Sequence, residues 1–333
     1  MKFDRETQTA QFHSPLEDFK LVDVDVEVRT DPLTGRQARI AEGSFVMPEG
    51  EPDIAEFVED DEGCFFCPET VEEVTPTYPD WFGEDRGSVG AATSFPNLNP
   101  YAANSNVVAL TEEHYRPIDG FTEAIFADGL TAALEFVNGV LEHDGTATMA
   151  SVNMNFLRAA GSSIVHPHIQ TLVDDCGTNE QAARLEHARA YHDRVGSVYW
   201  DDLLEKERGG ERSIGSTTDV TWHAPFAPKH HYHVQGILET DGLPTPGDAV
   251  IDGFADGLTN LLDAYADLGL NSFNWALHLA RDEPTTKPVI DVIGRSVFDA
   301  YYWSDSPFFT VLHDEGVVGS APEDYAKTAR ERF

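Results

Sequence analysis

The chain has 333 residues, and its 22 Lys and Arg against 59 Asp and Glu give a formal net charge of −37. This charge excludes nucleic acid and anionic membranes as partners, because both require a positively charged face. Apolar residues make up 41% of the chain. That fraction supports a large core and excludes an acidic disordered chain. The length allows about two domains.

The acidic composition indicates adaptation to concentrated salt, although an acidic interaction surface is the alternative. Lys supplies only 6 of the basic residues and Arg 16. At molar salt the Debye length falls to about 3 Å, which screens most of the repulsion between acidic side chains. The N-terminus contains no apolar signal segment, and the three cysteines do not form an even disulfide set. We therefore expect a reduced, cytoplasmic protein.

Residue patterning in the first half predicts strands around one long helix. The alternating sequence VDVDVEV at 22–28 predicts a strand with one buried face and acidic residues in water. Apolar residues spaced by three and four predict an amphipathic helix over 121–142. Further predictions are a turn at 31–35, a strand at 106–110, and a hairpin-like strand pair at 148–157 and 163–173.

The second half repeats this order of elements. A polar helix is expected over 179–207, and an amphipathic helix over 248–267. Strands are expected at 218–226, 231–239, 272–281 and 288–294. The repeated β-β-α-β-β order predicts an α+β protein made of two similar halves, residues 1–178 and 179–333.

The segment His166-Pro-His168-Ile-Gln170 contains the most informative side chains. Pro167 excludes a helix interior, and side chains two residues apart on a strand share a face. Two imidazoles and an amide would then face one site, with Asn153 and Asn155 on the preceding strand. An edge strand with solvated histidines is the alternative.

Cys64 and Cys67 form a CxxC pair followed by Pro68. Such a pair is a zinc turn, a redox pair or two ordinary buried thiols. Tetrahedral zinc needs two further ligands, for which His114 and one histidine of the HPH segment are available.

In order along the chain, these motifs resemble the galactose-1-phosphate uridylyltransferase family of the histidine-triad superfamily. The DPLTG turn, the CxxC-Pro pair, Phe95-x-Asn97-x-x-Pro100, His114 and the Asn155–Gln170 run all have counterparts there. The resemblance implies a fold of two tandem histidine-triad-like halves, with antiparallel sheets and packed helices. It also implies a homodimer whose active sites are completed across the interface.

The resemblance also implies roles for individual residues. Zinc would be bound by Cys64, Cys67, His114 and His166. His168 would be the nucleophile, with Gln170 and Ser163 holding phosphate oxygens. Substrate contacts would come from Asn97, Asn155, Gly161 and Ser162. A neutral imidazole is a competent nucleophile at neutral pH, and the nucleotidyl-histidine that it forms is labile enough to react onward.

Several positions depart from the family pattern. Ile169 and Leu157 replace glycines, and residues 41–47 lack the basic side chains that would hold substrate phosphates. Replacement cations would come from Arg36, Arg39, Arg158, Arg281 and Arg295, for each of which a surface ion pair is the alternative. The family's second metal site is matched only by Glu180 and His278, so no iron is expected. His223 is expected to be solvated or ion-paired, and His230, His231 and His233 to be solvated or capped imidazoles.

The predicted function is UMP transfer from UDP-glucose to galactose 1-phosphate, a step of galactose metabolism, through a uridylyl-His168 intermediate. One alternative is a nucleotide-sugar phosphorylase, or another nucleotidylyltransferase with a different base or acceptor. The other is a zinc-stabilised nucleotide-binding protein without catalysis.

Overall fold

The computed structural model describes residues 1–42, 54–58, 63–240, 242–297, 306 and 308–333. Most of the 41–47 stretch, noted above for its lack of basic residues, lies outside them. The strands are β1 (Asp4–Ser14), β2 (Lys20–Thr30), β3 (Gln37–Ile40), β4 (Gly87–Val89), β5 (Ala92–Pro96), β6 (Asn104–Ala109), β7 (Met149–Phe156), β8 (His168–Asp174), β9 (Ser213–Thr217), β10 (Val220–His223), β11 (His233–Leu238), β12 (Phe273–Ala280), β13 (Val289–Gly294) and β14 (Gly316–Val318). The helices are α1 (Ala55–Val58), α2 (Pro68–Val74), α3 (Glu123–His143), α4 (Asn179–Val195), α5 (Tyr199–Glu207), α6 (Ala249–Asp267), α7 (Phe308–His313) and α8 (Pro322–Arg330).

A ten-stranded antiparallel sheet organises the molecule, in the order β4-β5-β6-β8-β7-β12-β13-β11-β10-β9. Read inward from the two edges, the halves are β4-β5-β6-β8-β7 and β9-β10-β11-β13-β12, so both have the same chain order with the last two strands exchanged. The two halves meet at the β7–β12 pair. In that pair Asn155 lies opposite Asn274. The α+β fold of two similar halves is therefore confirmed. The boundary between residues 178 and 179 falls in the β8–α4 connection and stays a prediction.

Helices α3 and α6 cover one face of this sheet and form the main core with it. The apolar side chains that are spaced by three and four along α3 are buried, with Phe126, Leu130 and Leu134 almost inaccessible to solvent. Burying such a side chain contributes roughly 1.5–3 kcal/mol. By length and composition alone α3 could cross a membrane. Its apolar side chains instead pack inside the protein core.

The opposite face of the sheet, here called the open face, carries the polar side chains. On β7 and β8, Val152, Met154 and Ile169 point into the core, so Asn153, Asn155, His168 and Gln170 point the other way. Near β11 and β13, α4 and α5 cover the open face with a smaller cluster that includes Tyr191, Trp200 and Ile237. Alternation along the strands therefore decides which side chains can form a site.

Two predicted boundaries differ from the structure. The polar helix predicted over 179–207 is two helices, because α4 ends at Gly196, whose φ of 84° lies in the left-handed region. The strand predicted from residue 163 begins only at His168, because the preceding residues form a turn. A second sheet, in the order β1-β2-β3-β14, lies outside the repeat.

Candidate active site and metal centre

Cys64, Cys67, His114 and His166 converge, with their ligand atoms within 4.8 Å of one another. The Sγ atom of Cys67 lies 3.5 Å from Nδ1 of His114 and 3.6 Å from Nδ1 of His166. Cys64 Sγ lies 3.8 Å from Nδ1 of His166. A tetrahedral zinc ion with Zn–S of about 2.3 Å and Zn–N of about 2.0–2.1 Å separates S and N by about 3.6 Å. The four side chains therefore fit a tetrahedral metal ion.

Surrounding hydrogen bonds orient the ligand atoms. Nε2 of His166 donates to the carbonyl oxygen of Thr111 at 2.7 Å, which leaves Nδ1 with its lone pair toward the cysteines. Burial lowers the pKa of His166 to about 4, so the imidazole is neutral and able to bind a metal. Cys67 is the N-cap of α2, and Thr70 donates to the carbonyl oxygens of Cys64 and Cys67. The helix start thus fixes the CxxC turn.

His168 stands at the first position of β8 and is buried. Its Nδ1 donates to the carbonyl oxygen of His166 at 2.8 Å, so Nε2 carries the lone pair. Burial lowers the pKa of His168, which keeps the ring neutral. The ring of Phe66, from the CxxC turn, approaches it edge-on with centroids 5.2 Å apart. The metal-ligand turn therefore also packs against the predicted nucleophile.

The amides predicted beside His168 lie on neighbouring strands of the open face. Asn153 is paired with Gln170 and donates to its backbone carbonyl oxygen at 3.2 Å. The Oδ1 atom of Asn155 accepts a hydrogen bond of 2.6 Å from Asn274. Asn274, which sequence reasoning missed, also donates to the carbonyl oxygen of Ala160. Its position opposite Asn155 depends on strand pairing, which the local sequence does not reveal.

The turn between β7 and β8 contains the predicted small residues. Gly161 has a φ of 87°, a conformation that glycine adopts without strain. The hydroxyl of Ser162 donates to the carbonyl oxygen of Ile164 at 2.6 Å, whereas Ser163 is exposed. Leu157, which replaces a family glycine, is buried with a φ of 65° and ψ of 168°. The backbone therefore keeps a glycine-like conformation that the leucine side chain has to tolerate.

Asn97 follows β5, on the far side of β6 from His168. Its backbone N–H donates to Ser105, and its Oδ1 accepts from the backbone of Asn99 at 3.0 Å. The Nδ2 group of Asn97 is buried, with no hydrogen-bond partner in the part of the chain that the structure describes. A donor in that state is available to a ligand. The role predicted for Asn97 stays a prediction.

A cavity of about 410 Å³ opens on the open face beside Asn153 and Asn155. Asn274, Lys229 and Arg36 also contribute to its walls. This volume lies in the range of small-molecule sites, which is about 300–1,000 Å³. The cavity is therefore large enough for a small molecule.

The cations proposed as phosphate ligands have different environments. Arg36 is ion-paired with Glu180 at 2.9 Å, and Arg39 with Glu315.

Arg281 donates to the carbonyl oxygen of Leu141 at 2.6 Å. Arg295 donates to Oδ1 of Asn274 in the cavity wall. Arg158 is exposed in the β7–β8 turn, and its side chain makes no ion pair or hydrogen bond with the described residues. Arg158 is therefore the cation that remains available to a ligand.

A buried ionic network that the sequence did not predict is centred on Asp291. Its carboxylate accepts from Arg184 at 2.6 Å, from Nε2 of His233 at 2.9 Å and from Gln235 at 2.8 Å. Nδ1 of His233 accepts from the backbone N–H of Lys229, so this histidine is a neutral Nε2–H tautomer. Although burial opposes ionisation, Arg184 and the other donors hold the pKa of Asp291 well below its usual range.

Glu180 and His278, the two residues that the sequence matched to a second metal site, belong to the same network. Glu180 is ion-paired with Lys229 at 2.7 Å and with Arg184 at 2.6 Å. Nε2 of His278 lies 3.2 Å from Asp291. The two carboxylates are therefore neutralised by cations of this chain, and this donor set does not fit a further metal ion.

The prediction of solvated histidines is wrong for the C-terminal half. His223, His230, His231 and His233 are all buried. The C-terminal end of β10 and the N-terminal end of β11 pack under α8 and the second sheet, for example through the Tyr325 hydroxyl, which donates to the carbonyl oxygen of His233. Local polarity does not reveal this packing.

No protein-family model matches the chain. An uncharacterized protein from Archaeoglobus fulgidus is 36% identical over 99% of this chain and 98% of its own length. ADP-glucose phosphorylase from Arabidopsis thaliana, solved with bound ADP-glucose, has a similar fold, with a TM-score of 0.70, 18% identity and coverage of 92% of this chain and 99% of that chain. For a GalT-like protein from Arabidopsis thaliana the TM-score is 0.69, with 19% identity and coverage of 92% and 98%. A uridylyltransferase gives 0.67, with 18% identity and coverage of 92% and 97%.

The chain shares its fold with this GalT-like protein, this uridylyltransferase and this ADP-glucose phosphorylase, as the motifs predicted. Within that fold, the chain belongs to one family with the Archaeoglobus fulgidus protein, which it matches from end to end.

Proposed function

We propose that this protein is a zinc-containing nucleotidyltransferase that moves a nucleoside monophosphate between a nucleotide sugar and a sugar 1-phosphate. The leading reaction is UMP transfer from UDP-glucose to galactose 1-phosphate, as part of galactose metabolism in the cytoplasm. The observation that carries the proposal is the state of His168. It is a buried neutral imidazole with Nδ1–H bound to a carbonyl oxygen and the Nε2 lone pair unblocked.

The first step is attack of Nε2 of His168 on the α-phosphorus of the nucleotide sugar. The bond between that phosphorus and the bridging oxygen breaks, and the sugar 1-phosphate leaves with the electron pair. The ring becomes positively charged, and the hydrogen bond from Nδ1 to His166 stabilises that charge. In the second step a phosphate oxygen of the acceptor attacks the same phosphorus, the P–N bond breaks, and neutral His168 is restored.

Neighbouring side chains hold the transferring phosphate. The amide of Gln170 donates hydrogen bonds to non-bridging oxygens without supplying an acid or base, which favours transfer over hydrolysis. Ser163 and Arg158 are exposed in the β7–β8 turn and are placed to add donors. Asn155, Gly161, Ser162 and Asn97 complete the substrate contacts in this proposal. In this proposal the sugar phosphate occupies the cavity beside Asn153, whose volume of about 410 Å³ is sufficient for it.

Zinc is the metal proposed for the four-ligand centre. A closed site of two thiolates and two imidazoles is structural, and the bound ion would supply cross-linking between the CxxC turn and the strand that carries His168. The chemistry at phosphorus depends on His168 and its neighbours. The two cysteines and His114 position that strand.

A nucleotide-sugar phosphorylase is the second candidate. Its support is the similarity of fold to an ADP-glucose phosphorylase across 92% of this chain. The two reactions share the first step and differ in the acceptor, which is a sugar 1-phosphate in one and inorganic phosphate in the other.

Labelling with α-³²P UDP-glucose and ADP-glucose in molar KCl tests the proposal. The full chain should form an acid-labile, base-stable adduct that is absent from His168→Ala. The control His143→Ala, at the exposed end of α3, should be labelled as wild type. Release of the label by galactose 1-phosphate indicates the transferase, and release by phosphate the phosphorylase. Equal labelling of His168→Ala would refute the nucleophile. Absence of labelling in wild type would leave the non-catalytic binding protein as the correct alternative.

A further inference from the structure

Two side chains at the start of β12 hold the β7–β8 turn, which carries several of the proposed phosphate ligands. Asn274 donates through Nδ2 to the carbonyl oxygen of Ala160 at 2.8 Å. Just before the strand, the hydroxyl of Ser272 donates to the carbonyl oxygen of Phe156 at 2.8 Å. Within the turn, the backbone N–H groups of residues 160–162 donate to carbonyl oxygens of the turn itself. The C-terminal half therefore holds, from outside, a turn that the N-terminal half supplies to the site.

The direction of the Asn274 amide is set by Arg295. A guanidinium group can only donate hydrogen bonds, and Nη1 of Arg295 lies 2.5 Å from Oδ1 of Asn274. The amide oxygen therefore faces Arg295, and the Nδ2 group faces Asn155 and the turn. Arg295 is itself held in place, because its backbone N–H donates to the carbonyl oxygen of Ser272 and its guanidinium donates to the hydroxyl of Ser306.

The same reasoning extends one step further, to Asn155. Nδ2 of Asn274 donates to Oδ1 of Asn155 at 2.6 Å, so the Asn155 oxygen is turned toward β12. Asn155 is exposed on the open face, and its Nδ2 group makes no hydrogen bond with the described residues. Ionised phosphate oxygens only accept hydrogen bonds, so a free N–H donor suits an anionic substrate and a carbonyl oxygen would repel it. The orientation set by Asn274 is thus the one that a phosphate requires.

We infer that Asn274 is a positioning residue for the proposed reaction and that Arg295 is the cation that directs it. Asn274 turns the amide donor of Asn155 toward the transferring phosphate, and its bond to Ala160 holds the turn that carries Gly161. Neither Asn274 nor Arg295 contacts the phosphate in this arrangement. The inference rests on the proposed function, because it assigns a role in the same nucleotidyl transfer.

The hydrogen-bond chain also brings the charge of Arg295 to bear on the phosphate site. Groups bonded in a chain polarise one another, so the cation strengthens the donors that follow it. Arg295 is partly buried, and salt screens such a charge less than it screens an exposed one. A net charge of −37 opposes an anionic substrate, and residues 41–47 contain no basic side chain. Arg295 offsets part of that opposition without lying in the phosphate site itself.

Replacement of Asn274 by leucine, which has a similar shape and no hydrogen-bond donor, tests the inference. The rate of His168 labelling is measured in molar KCl against the concentration of α-³²P UDP-glucose and of ADP-glucose. The half-saturating concentration should rise about tenfold or more in Asn274→Leu, because a hydrogen bond to a charged group is lost. The limiting rate at saturation and its pH dependence should change little, since His168 is untouched and the lost contact binds ground state and transition state alike.

A double-mutant cycle separates positioning from packing. In an Asn155→Ala background, Asn274→Leu should raise the half-saturating concentration by less than about threefold, because the group that Asn274 orients is gone. Arg295→Met should raise it in the wild-type background, and Arg295→Lys, which keeps a cationic donor, should restore part of the wild-type value. The control Asn260→Leu, on α6 at the other face of the sheet and also partly buried, should be labelled as wild type.

Unchanged zinc content and near-ultraviolet circular dichroism will show which variants fold. A folded Asn274→Leu with the wild-type half-saturating concentration, or with an equal effect in the Asn155→Ala background, would overturn the inference while wild-type labelling upholds the proposed function. If Asn274→Leu does not fold, Arg295→Met decides, and a wild-type half-saturating concentration in that variant would overturn the inference. Absence of labelling in wild type would overturn the proposed function and this inference with it.

Discussion

Replacement of His223 tests how the buried histidines make stability depend on pH. His223 is the last residue of β10 and is 2% exposed. Nδ1 has no hydrogen-bond partner among the described residues. Burial, with a smaller contribution from the nearby Arg212, lowers the pKa of His223 to about 3, although Asp291 opposes this shift. The folded protein therefore holds this imidazole neutral.

The sign of the effect follows from proton binding. In the unfolded chain the histidine titrates near 6.5, so below that pH the unfolded chain binds a proton that the folded chain excludes. Stability is fully present at higher pH and is lost on acidification. Between pH 7 and pH 5 the loss from His223 alone is about 2 kcal/mol. This loss does not depend on the exact pKa of His223 in the folded protein, because a pKa of about 3 lies well below both pH values.

Urea unfolding of wild type and His223→Gln at pH 7 and pH 5, in molar KCl, measures this loss. Between pH 7 and pH 5, the free energy of unfolding should fall by about 2 kcal/mol less for the variant than for wild type. Any packing cost of the substitution cancels, since it is present at both pH values. His143→Gln, at an exposed position, should keep the wild-type pH dependence. The same decrease in His223→Gln as in wild type would refute the reasoning.

Three further predictions concern strain, metal and charge. Leu157→Gly should be more stable than Leu157→Ala by about 1–2 kcal/mol, since both lose the same core contacts but only glycine relaxes at a φ of 65°. Thermal unfolding compares them, and the opposite ranking would contradict a strained backbone. Cys67→Ser should lower metal content from about one zinc per chain to near zero by elemental analysis, and a metal-free active wild type would contradict the centre. Asp291→Asn should cost about 3–5 kcal/mol in urea unfolding, because it leaves Arg184 buried beside a single carboxylate. The exposed control Asp282→Asn should cost less than about 1 kcal/mol.

Most of the repeated fold could be predicted from local pattern. Helices α3 and α6 and strands β7, β11, β12 and β13 lie where periodicity placed them, because each buries one face and alternates accordingly. Short strands such as β4, β5 and β14 were not predicted. Their few residues carry no readable period, and they form only because a neighbouring strand supplies hydrogen bonds.

The candidate site shows the same division. The residues themselves predicted a zinc site of Cys64, Cys67, His114 and one histidine of the HPH segment, and the family resemblance implied that this histidine is His166. The structure brings the ligand atoms of these four side chains within 4.8 Å of one another. Asn274 and Asp291 were not identified. Each is an ordinary polar residue on a strand, and its partners are distant in sequence.

By itself, the sequence determined the fold class and the acidic composition, and its motifs predicted the candidate metal ligands and the position of His168. These features depend on residue types and on their spacing along the chain. Metal chemistry and strand periodicity constrain both within short stretches of sequence. Only the tertiary structure decided that His223 and His233 are buried and that Asp291 collects the cations Arg184 and Lys229. Burial and ion pairing join segments far apart in the chain, so they exist only once the strands have taken their places in the sheets.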